Sequence, residues 1–380
     1  MVGEVLLWLG GGLGLAMVLT ASVSVFQVLV VPRGRPNWLA ARIAGFVQAL
    51  FHIAVKRAKT YEAKDRLLAQ VGPLTLLFML LAWLFAFHIG YSLLLWLVTG
   101  GGLWGAVREI GSSLFTLGFA SRATPGVTVL DFFAAVTGLV VVALQIAYLP
   151  VLYSAFSRRE VLVTTLQSRA GSPAWGPEIL ARHQLVDIVD NLRLFYAEWE
   201  TWAAEVAESH SNYPILVLFR SPHHLRSWVL ALLSVLDSAA LYHAFNPDEA
   251  PSETRLCLRM GFTALRDIAD VVGLPYDPDP TPEDALQLSY EDFLQGVRRL
   301  EGAGFPMSRT VEEAWPHFRG WRINYEGIAY ALAERVVAPP APWSGARTRL
   351  AGLEIEPYRP VDRRPGGDVR HIEVPPLSTE

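Results

Sequence analysis

The chain has 380 residues, of which 52% are hydrophobic and 18% are charged, and its formal net charge at pH 7 is −4. Binding to nucleic acid calls for a basic surface, so this charge balance excludes that class of partner. Cys257 is the single cysteine, which excludes an intramolecular disulfide and a cysteine-based zinc cluster. The apolar excess favours an all-α membrane protein.

Three apolar segments are long enough to cross a membrane. Each has about 25 residues, enough for a tilted helix to span a hydrocarbon layer of ~30 Å. The segments are Val5 to Val31, Leu74 to Val98 and Phe132 to Phe156. The first lacks a basic leader and a small-residue cleavage site, so we interpret it as a retained membrane helix and not as a signal peptide. His88 is the one acidic or basic side chain among them.

The distribution of basic residues predicts the orientation. Lysine and arginine are concentrated between the first two apolar segments, and Arg158 and Arg159 follow the third. Such residues accumulate on the cytoplasmic side of a membrane. We therefore expect a multi-pass protein of the cell (plasma or inner) membrane. Its N-terminus lies outside, and everything after Ser157 is cytoplasmic.

A further stretch, Trp38 to Val55, is moderately apolar but carries Arg42 and His52. Its length and charge favour an amphipathic helix that lies on the cytoplasmic membrane surface. A fourth crossing is the alternative, and it would overturn the charge pattern.

The segment between the second and third apolar segments contains the string Thr116-Leu117-Gly118-Phe119-Ala120. Before it, Trp104 to Phe115 has the length of a short pore helix, and the C-terminal end of a helix favours a cation. With membrane helices on both sides, the string resembles the Thr-Val-Gly-Tyr-Gly filter loop of potassium channels. The alternative is a re-entrant or interfacial turn that links two spans.

The resemblance implies a function for the loop. Backbone carbonyls of Thr116, Leu117, Gly118, Phe119 and Ala120 replace the water shell of a dehydrated monovalent cation, with K⁺ expected. One loop encloses no pore, so four copies form a homotetramer in membrane lipid. The resemblance covers about Leu74 to Phe156, which gives a re-entrant pore helix and filter between the last two of three transmembrane helices.

Individual loop residues have expected roles. Such a loop alternates between left- and right-handed backbone, which Gly118 tolerates. Thr116 offers its hydroxyl as well as its carbonyl, and the ring of Phe119 acts as a strut. Ala120 stands where the family has a second glycine, and a left-handed alanine costs ~1–2 kcal/mol. Ser121 replaces the usual acidic residue, so strict K⁺ selectivity stays open.

Three residues of the last apolar segment are candidates for gating or for lining the pore. Gly138 lies near the hinge of the inner helix in such channels. Pro150 removes the hydrogen bond to the carbonyl of Ile146 and bends the helix. Gln145 faces a water-filled cavity or, alternatively, bonds to a neighbouring helix. Helix packing alone is the other explanation for the glycine and the proline.

The rest of the chain has the character of a soluble helical domain. Apolar residues from Leu180 to Glu208 follow helical spacing, and Leu225 to Phe245 is interpreted as the buried helix of a bundle. The segment from Pro339 onward is rich in proline and charge, so we predict a disordered tail. The predicted divisions are 1–71, 72–157 (the pore), 158–337 (the cytoplasmic domain) and 338–380 (the tail).

A second function class stays open. A non-conducting sensor or scaffold, whose helical domain binds a partner, has the same large cytoplasmic region. An enzyme is not expected, because Ser112 or Ser113 with His88 lacks a GxSxG elbow. No metal or other cofactor is expected either, because the histidines are scattered and form no HExxH pattern.

Overall fold

The computed structural model describes residues 2–31, 37–58, 60–122 and 124–345. Across these ranges the chain is helical and contains no β-strand. The α-helices are α1 (Val2–Leu29), α2 (Trp38–Val55), α3 (Tyr61–Leu68), α4 (Val71–Thr99), α5 (Leu103–Leu114), α6 (Pro125–Ala170), α7 (Gly176–Leu185), α8 (Leu192–Asn212), α9 (Trp228–Phe245), α10 (Ser252–Val272), α11 (Tyr290–Ala303), α12 (Val311–Arg322) and α13 (Glu326–Arg335).

The chain divides into two compact units. The first contains Met1–Ala58 and Leu67–Ser154, and the second contains Lys59–Arg66 and Ala155–Glu380. The first unit thus joins two segments that were predicted to divide at residue 71. The second takes up a short piece of the basic connector.

Several helices are long and apolar enough to cross a membrane, as predicted. The candidate spans are Gly3–Leu29, Trp38–Val55, Tyr61–Thr99, Pro125–Ala170 and Trp228–Phe245. The last of these is almost wholly buried among the other helices of the second unit. Its prediction as the buried helix of a bundle is therefore confirmed.

In the first unit, α1 lies directly against α4. A Cβ atom on Gly14 would lie 2.5 Å from the carbonyl oxygen of Gly90, and one on Gly90 would lie 2.8 Å from Val18 Cγ2. Further along, Trp83 Nε1 donates a hydrogen bond of 2.9 Å to Ser24 Oγ. Small residues that let backbones approach are a common basis of helix association in membranes.

Replacing Gly14 with isoleucine should separate α1 from α4, because the larger side chain overlaps the backbone of Gly90. Overpacking typically costs about 1–3 kcal/mol. Thermal unfolding in detergent should show a lower melting temperature. Gly12→Ile is the matched control, since a Cβ atom there meets nothing within 4 Å. Equal losses in both variants would contradict this account of the interface.

The predicted helix from Leu180 to Glu208 is interrupted. Helix α7 ends at Leu185, a 3₁₀ turn covers Val189–Asn191, and α8 begins at Leu192. Asp187 has a φ of 56°, a left-handed conformation in which a helix cannot continue. The expected apolar stripe does line the core along α8, where Phe195, Tyr196, Trp199 and Trp202 are buried.

The core of the second unit contains a buried ionic cluster. Arg322 pairs with Asp237 and, at 2.9 Å, with Glu326. Tyr325 donates a hydrogen bond of 2.9 Å to Asp237. Burial raises the pKa of Asp237 to about 6. The carboxylates of Asp237 and Glu326 share one guanidinium. Because the pKa of Asp237 is raised, this carboxyl takes up a proton more readily, and the buried negative charge is smaller.

The connector piece is fixed to the second unit by Arg220. Its Nε donates to Asp65 Oδ1 at 2.7 Å, and its Nη2 donates to the Tyr61 hydroxyl at 2.6 Å. The same guanidinium donates to the carbonyls of Val336 and Val337. One arginine therefore joins α3 to the chain that follows α13.

The packed domain extends beyond residue 337, where the disordered tail was expected to begin. The ring of Trp343 is buried edge-on to Trp175, with centroids 5.8 Å apart. Its Nε1 donates to the Asp292 carbonyl at 3.0 Å, and its own carbonyl accepts from Arg322 at 2.9 Å. Burial of this large aromatic residue stabilises the segment against the domain. The remainder of the predicted tail, 346–380, lies outside the described residues.

Candidate functional site

The predicted filter loop follows α5 immediately. The helix ends because Thr116 adopts a φ of 56°, and Gly118 adopts a φ of 71°. No left-handed φ occurs at Leu117, Phe119 or Ala120. The backbone therefore alternates in handedness at the first and third positions of the string, but not at the fifth. The strain expected at Ala120 falls instead on Thr116, a β-branched residue for which this conformation is costly.

Amide groups of the loop fold back onto the last turn of α5. The carbonyl of Ser112 accepts hydrogen bonds from Leu117 N at 2.8 Å and from Gly118 N at 3.4 Å. The hydroxyl of Ser112 accepts from Ala120 N at 3.0 Å. Thr116 N donates to the Ser113 carbonyl at 3.0 Å. The loop's donors are thus largely used within the chain.

The main-chain carbonyls of the loop differ from its amides in their hydrogen bonding. Within the part of the chain that the structure describes, no hydrogen bond uses a main-chain carbonyl of residues 116–120. The side chains of Leu117 and Phe119 are 63% and 54% exposed. Carbonyl oxygens without protein donors are the groups that replace the hydration shell of an alkali cation in a filter.

Charged side chains contact the loop and the helix that precedes it. Arg122 lies 3.4 Å from the buried carboxylate of Glu109, between its Nε and Oε2. The guanidinium of Arg108 lies over the ring of Phe119, 5.5 Å from its centroid, so the expected strut has a cation–π partner. Asp131, on the first turns of α6, accepts from the Ser113 hydroxyl at 2.7 Å.

His88 of α4 packs against the end of α5. A Cβ atom on Gly111 would lie 3.0 Å from His88 Cε1, and the imidazole centroid is 6.0 Å from that of Phe115. Its Nδ1 is buried and has no hydrogen-bond partner among the described residues. The imidazole is therefore part of the packing behind the loop.

The three candidates for gating or for lining the pore have different surroundings in the structure. Gly138 lies against the end of α5, where a Cβ atom would overlap the carbonyl oxygen of Leu114. Close packing at this position supports the packing explanation for that glycine. Gln145 is buried, and Pro150 is exposed within the uninterrupted α6. At 1.5 Å per residue, they lie about 10 Å and 18 Å further along the helix than Gly138.

Sequence reasoning did not assign a role near the loop to Arg108, Glu109, Ser112 or Asp131. For the charged residues a signal was present, since an ionisable residue between membrane-length segments marks a functional position. Ser112 carries no such signal. Its role depends on the chain turning back within eight residues, and this turn is visible only in the folded structure.

The second unit contains a buried contact between an arginine and a histidine. The buried guanidinium of Arg159 lies 3.0 Å from His210 Nε2, and burial holds the pKa of His210 well below its usual range. The described residues contain no group of three or more His, Cys, Asp or Glu side chains placed to hold a metal.

Comparison with known proteins gives no match: no protein-family model fits the chain, and no curated protein or solved structure is significantly similar to it.

Proposed function

We propose that this protein is a tetrameric cation channel, with K⁺ as the expected ion, that conducts through a loop formed by Thr116 to Ala120. The hydrogen bonding of the loop carries the proposal. Its amides donate to Ser112 and Ser113, while its carbonyls have no donor among the described residues. A dehydrated cation needs a cage of such oxygens, and one loop supplies a quarter of it.

The make-up of the second unit supports the proposed topology. Tyr61 and Asp65, before α4, belong to the same compact unit as the chain after Ala155. We therefore take both ends of the segment α4 to α6 to lie on one side of the membrane, and the basic connector favours the cytoplasmic side. Helices α4 and α6 each cross once in this arrangement, and α5 with its loop enters from the outside.

Helix α2 is proposed to lie on the cytoplasmic surface. Asn37 caps it, accepting from Leu39 N and Ala40 N at 3.1 Å. Trp38 is exposed, and Arg42 lies over its ring at 5.7 Å from the centroid. Exposed tryptophan beside a cation suits the headgroup layer of a bilayer.

The second candidate function is a non-conducting sensor or scaffold. It is favoured by the backbone at Ala120, which does not continue the alternation seen at Thr116 and Gly118. A loop that alternates over fewer positions has fewer equivalent carbonyl rings.

Assembly and flux test the proposal together. The purified protein should have the mass of a tetramer by native mass spectrometry, and vesicles containing it should take up K⁺. A stable monomer or dimer in both gentle detergent and lipid nanodiscs would contradict the channel function. A tetramer without flux over a range of pH, voltage and calcium would favour the scaffold.

Cysteine labelling should establish the topology. Single cysteines replacing the exposed Arg66 and Arg158 should react with an impermeant reagent only from the cytoplasm, and one replacing Gly101 only from outside. The native Cys257 can stay, because it is fully buried and burial raises the pKa of its thiol. Labelling of position 66 from outside would instead mean that α2 crosses the membrane.

A further inference from the structure

Two adjacent serines at the end of α5 make different contacts. Ser112 is 1% exposed, and its hydroxyl accepts from Ala120 N at 3.0 Å. The hydroxyl of Ser113 donates to Asp131 and makes no hydrogen bond to the loop. The pair therefore separates an effect on the loop from an effect on the helix that supports it.

Planarity of the peptide bond connects the Ser112 hydroxyl to the ion path. The N–H of one residue and the C=O of the residue before it belong to the same rigid, trans unit and point in opposite directions. Holding Ala120 N–H toward Ser112 thus directs the carbonyl of Phe119 away from α5. In the same way, the bonds to the Ser112 carbonyl fix the carbonyls of Thr116 and Leu117.

Only one of these constraints comes from a side chain. The carbonyls of Thr116 and Leu117 are fixed by main-chain bonds that survive any substitution at Ser112. The carbonyl of Phe119, on the outer side of the loop, depends on the hydroxyl of Ser112. Ala120 lacks the left-handed conformation that would otherwise determine this peptide unit.

We infer that Ser112 is a positioning residue for the ion path: its hydroxyl orients the Phe119 carbonyl and thereby sets how strongly the loop prefers K⁺ to Na⁺. This inference rests on the proposed channel function. A carbonyl held in place selects ions by the number and position of its partners, whereas a peptide unit free to rotate coordinates either ion.

The test is the K⁺/Na⁺ permeability ratio of reconstituted protein, measured from bi-ionic reversal potentials. Ser112→Ala should lower the ratio about fivefold, the factor equivalent to a net hydrogen bond of about 1 kcal/mol. Ser112→Cys, nearly isosteric with a weak acceptor, should lower it similarly. Ser112→Thr keeps the hydroxyl and should therefore keep the wild-type permeability ratio. Ser113→Ala should also leave the ratio unchanged. Native mass spectrometry checks that each variant remains tetrameric.

The possible failures can be told apart. A conducting wild type whose ratio is unaffected by Ser112→Ala and Ser112→Cys overturns the role of Ser112 alone. An equal loss in Ser113→Ala also overturns it, because the effect would then come from α5 as a whole. A wild type that passes neither ion, and whose melting temperature K⁺ does not raise above its value in Na⁺, overturns the channel function and this inference with it.

Discussion

In the proposed channel, replacing Gly118 with alanine should abolish cation flux while leaving the proposed tetramer intact. A Cβ atom at this position meets nothing within 4 Å, so no clash disturbs the protein around the loop. The φ of 71° is the source of the effect, because a left-handed alanine costs about 1–2 kcal/mol per residue. Relief of that strain rotates the adjoining peptide units and takes their carbonyls out of line. K⁺ uptake into vesicles, with native mass spectrometry in parallel, is the measurement.

Gly100→Ala is the matched control for this experiment. Gly100 ends α4 with a φ of 60°, and a Cβ atom there also meets nothing within 4 Å. Its backbone cost is the same, but its carbonyl is not part of the loop. Flux should therefore persist in Gly100→Ala. Normal conduction by Gly118→Ala would show that this loop is not the filter, and equal loss in both variants would assign the effect to general strain.

Replacing Arg322 with methionine should destabilise the helical unit by about 3–5 kcal/mol, the usual cost of removing one partner of a buried ion pair. Arg322 is fully buried, and the change leaves Asp237 and Glu326 without their shared cation. It also removes the donors to Tyr330 and to the carbonyl of Trp343, at 2.8 and 2.9 Å. Thermal unfolding followed by tryptophan fluorescence should show the loss.

Arg298→Met and a change of pH provide the controls. Arg298 forms an exposed pair with Glu291, so its replacement should cost less than about 1 kcal/mol. The folded-state pKa of Asp237, about 6, exceeds the ordinary value of 3.8, so the folded form binds the proton first. Stability therefore rises as the pH falls from about 6 toward 4, and pH 5 should recover part of the loss in Arg322→Met. Equal losses at positions 298 and 322 would contradict the role of the cluster.

The long apolar helices were predictable because their signal is local. A run such as Leu74 to Val98 contains enough apolar residues to form a span without reference to the rest of the chain. The buried helix Trp228–Phe245 was distinguishable from a span by Asp237 and its short length. That Asp237 meets Arg322 could not be predicted, because the two are 85 positions apart and nothing in either local sequence marks the pairing.

Prediction of the loop from sequence was partial for a related reason. The string Thr116 to Ala120 indicated which residues form the loop, and Gly118 does take the left-handed conformation. The anchoring of the loop depends on the direction in which its amides point after the turn. For that reason the contact of Ser112 with the loop could not be predicted from the sequence. Gly138 likewise appeared as a hinge candidate, whereas its contact with Leu114 requires the positions of two helices.

The attachment of Asp65 to Arg220 has a consequence for the order of events during synthesis. Arg220 follows Asp65 by 155 positions, and the helices α4 to α8 lie between them. At about 5–20 residues per second, the ribosome needs roughly 8–30 s to supply the partner. Over that interval Asp65 has no Arg220 to pair with, whereas the apolar helices between them are already made. We therefore expect insertion to come first, and the helical unit to close only when Val337 has emerged.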